Sequence, residues 1–234
     1  NLAIQKSTEL SAGAAEAFEQ QASSLQSLTG FQDEAITGAQ EIVAEGGYLY
    51  LRGAERFYRI NTADSVVDEP IGFDRLAKAT ALDTYLGNAY LLVPEEEQGY
   101  KFWNLPGGYS KEVSWVKEAL PMAGVVDLAI DGEVWLLKSD GQLTRLAIGK
   151  PEPFVISNLS TPLKEPIKIF TRPGMKYLYI IDRGERRVVV LEKSGNFYRQ
   201  FKGDVLSEAK DLWVSGDEKT LYILSGSKIY RVSQ

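Results

Sequence analysis

Three features of the sequence predict an all-β fold made of repeating four-stranded units, the architecture of a β-propeller. The first is an aromatic residue that returns inside an apolar run at positions 50, 90, 135, 179 and 222, at intervals of 40, 45, 44 and 43 residues. The second is that each run is flanked by further strand-like segments and short turns. The third is an aromatic content of 11% with 12 tyrosines, which suits pleated, half-buried surfaces. A period of about 40–45 residues holding several short strands is the pattern of a propeller blade. Five repeats are recognisable.

Taken in chain order, residues 1–38 read as an N-terminal segment and residues 39–234 as the propeller domain. "NLAIQK" (residues 1–6) is the expected closing strand for the last blade, whose own sequence stops after a third strand. Over residues 11–28, Ser11 is a candidate N-cap and Gly30 a candidate stop, and Ala14, Phe18, Ala22 and Leu25 share one helical face. A short amphipathic helix is therefore expected. The alternative makes "SSLQSLTG" the outer strand of a partial sixth blade.

Each repeat then supplies three strands in turn. The first strands read "AQEIVAE", "LAKATAL", "VVDLAID", "EPIKIFT" and "AKDLWVS". The second strands are the aromatic runs around Tyr50, Tyr90, Trp135, Tyr179 and Tyr222. The third strands read "RFYRIN", "GYKFWNL", "QLTRLAI", "RRVVVLE" and "KIYRVS". The turns "RGAE", "KSDGQ", "DRGER" and "SGSK" carry the Gly, Asp and Ser of tight hairpins. In the second unit the turn reads as a longer acidic stretch, "PEEEQG". Val188, Val189, Val190 and Leu191 are apolar on both faces, as in a sheet covered on both sides.

The stretch "LYIIDRGERRVVVLEKSGNF" (residues 178–197) resembles the NHL-type propeller repeat. Tyr179, Asp182, Gly184, Arg187, Val188, Val190, Glu192 and Gly195 stand at the matching positions, and Arg186 stands where that family usually has Asn. The other four units keep the period without this signature. Roughly the C-terminal half of the chain is similar to six-bladed propeller domains of bacterial membrane-anchored proteins, some of which also carry a phosphatase-like domain. The resemblance implies a sensing or binding role outside the membrane, with an anchor upstream of Asn1, and brings no active residues with it.

Composition narrows the chemistry. A formal net charge of −6 opposes nucleic acid as a partner, because phosphate binding needs clustered Lys and Arg. The 234 residues contain no cysteine and no histidine, which removes disulfides, thiolate chemistry and every histidine-based nucleophile or metal arrangement. No apolar run approaches the ~20 residues of a membrane helix. No cofactor or metal is expected.

Three constellations remain. Hairpins between second and third strands share one rim, which gives an acidic sector of Glu95, Glu96 and Glu97, with Asp140 beyond it. A basic sector of Arg183 and Arg186, with Glu185, completes a rim that could set the register of a protein partner; ordinary solvated hairpins are the plainer reading. Tyr100, Trp103 and Tyr109, with Phe102 and Trp115, form an aromatic concentration suited to anchoring a partner or stacking on a sugar; core packing explains most of it. Asp127, Lys168 and Asp211 occupy matching first-strand positions that would line a channel. There they could hold Ca²⁺, act as acid and base, or simply pair.

The sequence therefore points to a noncatalytic propeller that works as a protein-interaction or sensing module. The alternatives are a sugar- or Ca²⁺-binding propeller and a His-free hydrolase or lyase using channel carboxylates.

Overall fold

The computed structural model describes residues 7–9, 39–64, 66–68, 71–106 and 108–233. Within them the regular structure is strand, apart from four short 3-10 segments, and the chain is an all-β, five-bladed β-propeller. Blade one is β2 (Glu41–Glu45), β3 (Tyr48–Arg52), β4 (Arg56–Asn61) and β5 (Ile71–Gly72). Blade two is β6 (Ala81–Tyr85), β7 (Asn88–Val93), β8 (Gln98–Phe102) and β11 (Val113–Ser114). A small hairpin, β9 (Asn104–Leu105) and β10 (Gly108–Tyr109), lies between its last two strands. Blade three is β12 (Val125–Ile130), β13 (Val134–Lys138), β14 (Leu143–Ala147) and β15 (Lys150–Glu152). Blade four is β16 (Pro166–Phe170), β17 (Tyr177–Asp182), β18 (Arg187–Glu192) and β19 (Phe197–Lys202). Blade five is β20 (Ala209–Val214), β21 (Thr220–Ser225) and β22 (Lys228–Ser233).

One register recurs in every blade. The repeated aromatic faces the same first-strand position each time: Val43 opposite Tyr50, Asp83 opposite Tyr90, Ala129 opposite Trp135, Phe170 opposite Tyr179, Trp213 opposite Tyr222. A slip of one residue would turn every core side chain to the wrong face. The period in the sequence is thus a record of this register.

The described chain divides into two compact units. One holds blades three to five. In it, Val188 and Val190 of β18 pack among Leu212, Val214, Leu221 and Ile223 of blade five. Val189 and Leu191 point the opposite way, into a cluster with Trp135 and Leu137 of blade three. All four β18 side chains are fully buried, so blade four is covered on both faces, as its unbroken apolar run requires. The other unit holds blades one and two, where Phe57, Phe73 and Phe102 make the core. Phe57 and Phe73 meet Phe102 edge-on with centroids 5.1 and 5.4 Å apart, the arrangement ring quadrupoles favour.

Two local features differ from the sequence reading. The segment "LAKATAL" is mostly not strand: Leu76–Lys78 forms a 3-10 turn and β6 begins only at Ala81. Leu76 is wholly buried and plugs the blade-two core, so its apolar signal belongs to a connection. β6 holds Asp83 and Thr84, buried polar residues that break the alternation by which a strand is recognised. At the N-terminus, β1 (Ser7–Glu9) runs parallel to β19 and adds a fifth strand to blade four. The expected closing strand (residues 1–6) and helix (residues 11–28) lie outside the described residues.

Candidate functional site

The first strands of blades three, four and five carry the same irregularity. Register shifts between Val125 and Asp127, between Pro166 and Lys168, and between Ala209 and Asp211. Such bulges re-aim the side chain that follows, and here they bring the three sequence-predicted polar residues together. Lys168 Nζ lies 3.3 Å from Asp127 Oδ1 and 3.8 Å from Asp211 Oδ1. Asp127 Oδ2 also accepts the Ile169 N–H at 2.8 Å, and Asp211 Oδ1 accepts the Leu212 N–H at 2.8 Å. An ammonium therefore occupies the space between the carboxylates that a metal ion would need. No grouping of three metal-ligating side chains occurs among the described residues. The triad ties three first strands to one another.

Glu41 in blade one was missed, although it holds the same register position. It sits opposite Arg52, two residues after Tyr50, as Asp127 sits opposite Leu137, two after Trp135. Its Oε2 accepts Arg52 Nε at 3.0 Å and the Leu82 N–H of blade two at 2.8 Å. Its distance from the repeated aromatic, nine residues against eight for Asp127, was a near match that could have found it.

The rim charges are engaged within their own units. Pro94–Glu96 and Arg183–Glu185 are both single 3-10 turns, followed by Glu97 (φ 50) and Arg186 (φ 49) in the left-handed region. The acidic turn of blade two is thus the same four-residue hairpin as the turn of blade four, and not a longer one. Glu95 pairs with Lys78 at 3.4 Å and Glu96 with Arg75 at 3.0 Å. Arg183 pairs with Glu165, Glu185 with Lys164 at 3.8 Å, and Arg186 with Asp204. Asp140 accepts the Gln142 N–H at 2.9 Å, closing its own turn. Each hairpin charge except that of Asp140 and Glu97 meets an opposite charge from the connection between blades. Exposed pairs of this kind contribute only about 0–1 kcal/mol each, but they leave little bare charge for a partner.

The NHL-like residues form a different structure beneath that rim. Asp182 and Arg187 are buried and paired, Nε to Oδ2, at 2.8 Å. Asp182 Oδ1 accepts the N–H groups of Lys164 and Glu165 at 3.1 and 3.0 Å. Arg187 donates onward to the carbonyls of Thr161 and Pro162 at 2.7 and 2.9 Å. The pair pins the incoming connection onto blade four. A Cβ on Gly184 would come within 3.0 Å of the Lys164 side chain, which accounts for the glycine between them.

The aromatic concentration divides into core and surface. Tyr100, Phe102 and Trp115 are buried, and Tyr100 donates its hydroxyl to Glu96 at 2.5 Å. Tyr109 is half-buried, stacks edge-on with Phe57 and donates to the Gly87 carbonyl at 3.0 Å. Burial, and the Tyr50 phenol beside it, push its hydroxyl well above the usual tyrosine range. Trp103 is the exception, 47% exposed, with Lys101 Nζ 3.3 Å from its ring centroid. Burial lowers the Lys101 ammonium below the usual lysine range.

Two further large apolar residues of blade two are exposed, which the sequence did not disclose. Leu105 is 49% exposed and Leu86, at the tip of the β6–β7 turn, 71%. Asn104 docks on that turn: its N–H bonds Asn88 Oδ1 at 3.0 Å, and its side chain lies against Gly87. Arg59 holds Asn104 from the other side at 2.7 Å. Leu86 has φ 52, a left-handed conformation that disfavours a branched apolar side chain.

No protein-family model matches the chain, and no curated protein matches it significantly. Among solved structures it is similar to PorZ, described as an essential bacterial surface component of the type-IX secretion system of Porphyromonas gingivalis. That match has 18% identity and a TM-score of 0.57 over 87% of this chain and 26% of PorZ. The chain therefore spans about a quarter of PorZ. It is also similar to virginiamycin B lyase from Staphylococcus aureus, at 13% identity and TM-score 0.55 over 84% of this chain and 70% of the lyase. A functionally unknown protein from Desulfotomaculum acetoxidans matches at 13% identity and TM-score 0.56, over 82% of this chain and 64% of its own. At such identities the likeness is one of fold, and the class it defines is the β-propeller.

Proposed function

We propose that this chain is a noncatalytic propeller that binds another protein, and that the apolar surface of blade two makes the contact. The observation that carries this reading is the exposure of three large apolar residues of blade two and its hairpin, Trp103, Leu105 and Leu86, by 47, 49 and 71%. Large apolar groups gathered on a polar rim mark interaction surfaces, and an exposed tryptophan is the commonest kind of anchor. Keeping leucine in a left-handed turn position costs stability, which fits a residue retained for contact. The engaged charges of Glu95 and Glu96, on the β7–β8 hairpin, lie at the other end of the blade-two strands and form no part of this site. A propeller hosts many functions, so the argument rests on this surface and not on the fold.

Two observations count against the catalytic alternatives. The ammonium of Lys168 already sits between the Asp127 and Asp211 carboxylates. A variant of the Staphylococcus aureus lyase with one histidine replaced is described as catalytically inactive, and the present 234 residues contain no histidine. We further place the propeller outside the cytoplasm, and its fourth blade in the NHL-type class. PorZ, described as a surface component, and the buried Asp182–Arg187 pair support these two assignments.

Affinity enrichment from an extract of the source cells tests the proposal. The baits are the intact chain, a Trp103→Ala/Leu86→Asn variant, and a variant with Glu95, Glu96, Arg183 and Arg186 reversed in charge. One protein is expected on the intact chain and lost with the first variant. Undiminished capture by that variant would sink the assignment. Loss with the charge reversal alone would return the contact to the rim.

A further inference from the structure

A cavity of about 260 Å³ opens between the β21–β22 turn and the 3-10 segment Asp204–Glu208 that leads into blade five. Asp204, Ser207, Glu208, Ser225, Ser227 and Tyr230 border it, and all of them belong to the unit of blades three to five. Its volume falls just below the ~300–1,000 Å³ of sites for drug-sized ligands, so it suits a small molecule.

The cavity exists because blade five fastens its hairpin differently. In blades two and four, ion pairs join the hairpin between second and third strands to the connection entering the blade: Glu95 with Lys78, Glu96 with Arg75, and Glu185 with Lys164. In blade five that hairpin reads Ser225-Gly226-Ser227-Lys228. There the Gly226 N–H bonds the Glu208 carbonyl at 3.1 Å, and Ser225 donates its hydroxyl to the Val205 carbonyl. No side chain stands at Gly226, where a Cβ would lie 3.0 Å from Glu208 Oε2. Glu208 is exposed, and its carboxylate meets no cation among the described residues. Lys228, which also borders the cavity, is engaged with a group other than Glu208.

We infer that this cavity binds a small hydroxylated primary amine, of the amino-sugar or amino-alcohol class. The ammonium supplies to Glu208 the cation that Arg75 and Lys78 supply in blade two, and a charge-assisted bond of that kind is stronger than a neutral one. The hydroxyls that line the cavity set the rest of the chemistry. Ser207 and Ser225 already donate their protons to the carbonyls of Asp204 and Val205. Their oxygens are left as acceptors, which suits a ligand rich in donors and disfavours an anion. A divalent metal ion fits poorly, because it needs more oxygen ligands and no grouping of three metal-ligating side chains occurs among the described residues. This inference is independent of the exposure of Trp103.

Calorimetric titration of the intact chain at about pH 6, where such an amine is protonated, tests it, with backbone amide NMR to locate the contact. The probe is glucosamine. Glucose, which lacks the charge, and putrescine, which lacks the hydroxyls, are the controls. Glucosamine should bind saturably and shift the amides of residues 204–208 and 225–228, with both controls weaker by about tenfold or more. Glu208→Gln removes the charge with little change of shape and should cost a similar factor. Glu208 is exposed, so that variant should fold as the parent does. Glu55→Gln makes the same change of net charge at an exposed turn of blade one and should leave binding unaltered. Absence of saturable binding, equal binding of either control, full binding by the Glu208→Gln chain, or amide shifts confined to other residues would each overturn the inference.

Discussion

Arg186 and Arg187 are consecutive in the chain, yet their guanidinium groups have opposite energetic weight. Arg187 is 1% exposed and its partner Asp182 is fully buried, so deleting either leaves a charge stranded in low dielectric. Arg187→Ala should therefore destabilise the protein by about 3–5 kcal/mol, read from denaturant unfolding. Arg186 pairs with Asp204, whose side chain is 93% exposed, and Arg186→Ala should change stability by less than about 1 kcal/mol. Equal effects would mean that the buried network does not pin the connection as described. The "DRGERR" motif was legible as a loop signature with Arg187 at a matching position, but the burial that separates Arg187 from Arg186 was not. Strand parity decides: Arg187 opens β18 opposite Asp182, while Arg186 caps the turn with positive φ.

Hairpin tips are where the elements depart from ideal chemistry. Leu86–Gly87 and Ile148–Gly149 both have left-handed φ at the two central positions, a type I′ geometry for which Asn-Gly is preferred. Ile148 is 90% exposed, so it gains nothing from burial to offset the strain of a β-branched residue there. Ile148→Asn should stabilise the protein by about 1 kcal/mol, measured as a raised unfolding midpoint. Leu86→Asn should give a similar gain. If Leu86 is kept for contact, the same substitution should weaken partner capture, a trade between stability and function. A stabilised Leu86→Asn chain with full capture would remove Leu86 from the contact surface.

At the scale of the whole molecule, the absence of histidine and cysteine leaves no side chain with an ordinary pKa between about 6 and 8. Stability should be flat over that range. On the alkaline side, burial pushes the Tyr90 phenol from 10.0 up to about 12, and burial also raises Tyr50 and Tyr109. A folded-state pKa above the unfolded one means the unfolded chain loses its proton first. Stability from these groups is then full below pH 10 and is lost as the pH rises from 10 towards 12. Burial lowers Lys101 and Lys193, which acts in the opposite sense, so the phenol contribution is isolated by substitution. Tyr90→Phe should flatten the alkaline limb of a stability–pH curve; an unchanged limb would place the effect elsewhere.

The sequence by itself determined the all-β class, the repeat and most strand positions, because a constant register writes itself as a constant spacing of aromatics. It also placed Asp127, Lys168 and Asp211 at matching points of the first strands, because those segments align with one another although the three residues stand 8, 11 and 11 positions before their aromatics. It gave no view of the bulges that gather them, of the ion pairs that engage Glu95, Glu96, Arg183 and Arg186, or of the exposure of Trp103, Leu105 and Leu86. Those contacts join residues on different strands, turns and connections, whose chemistry carries no trace of its partner. Only tertiary packing decided that Tyr100 is buried and Tyr109 half-buried while Trp103 stays outside. Alternation along one strand assigns a side chain to a face, and the structure around that face decides whether it is covered.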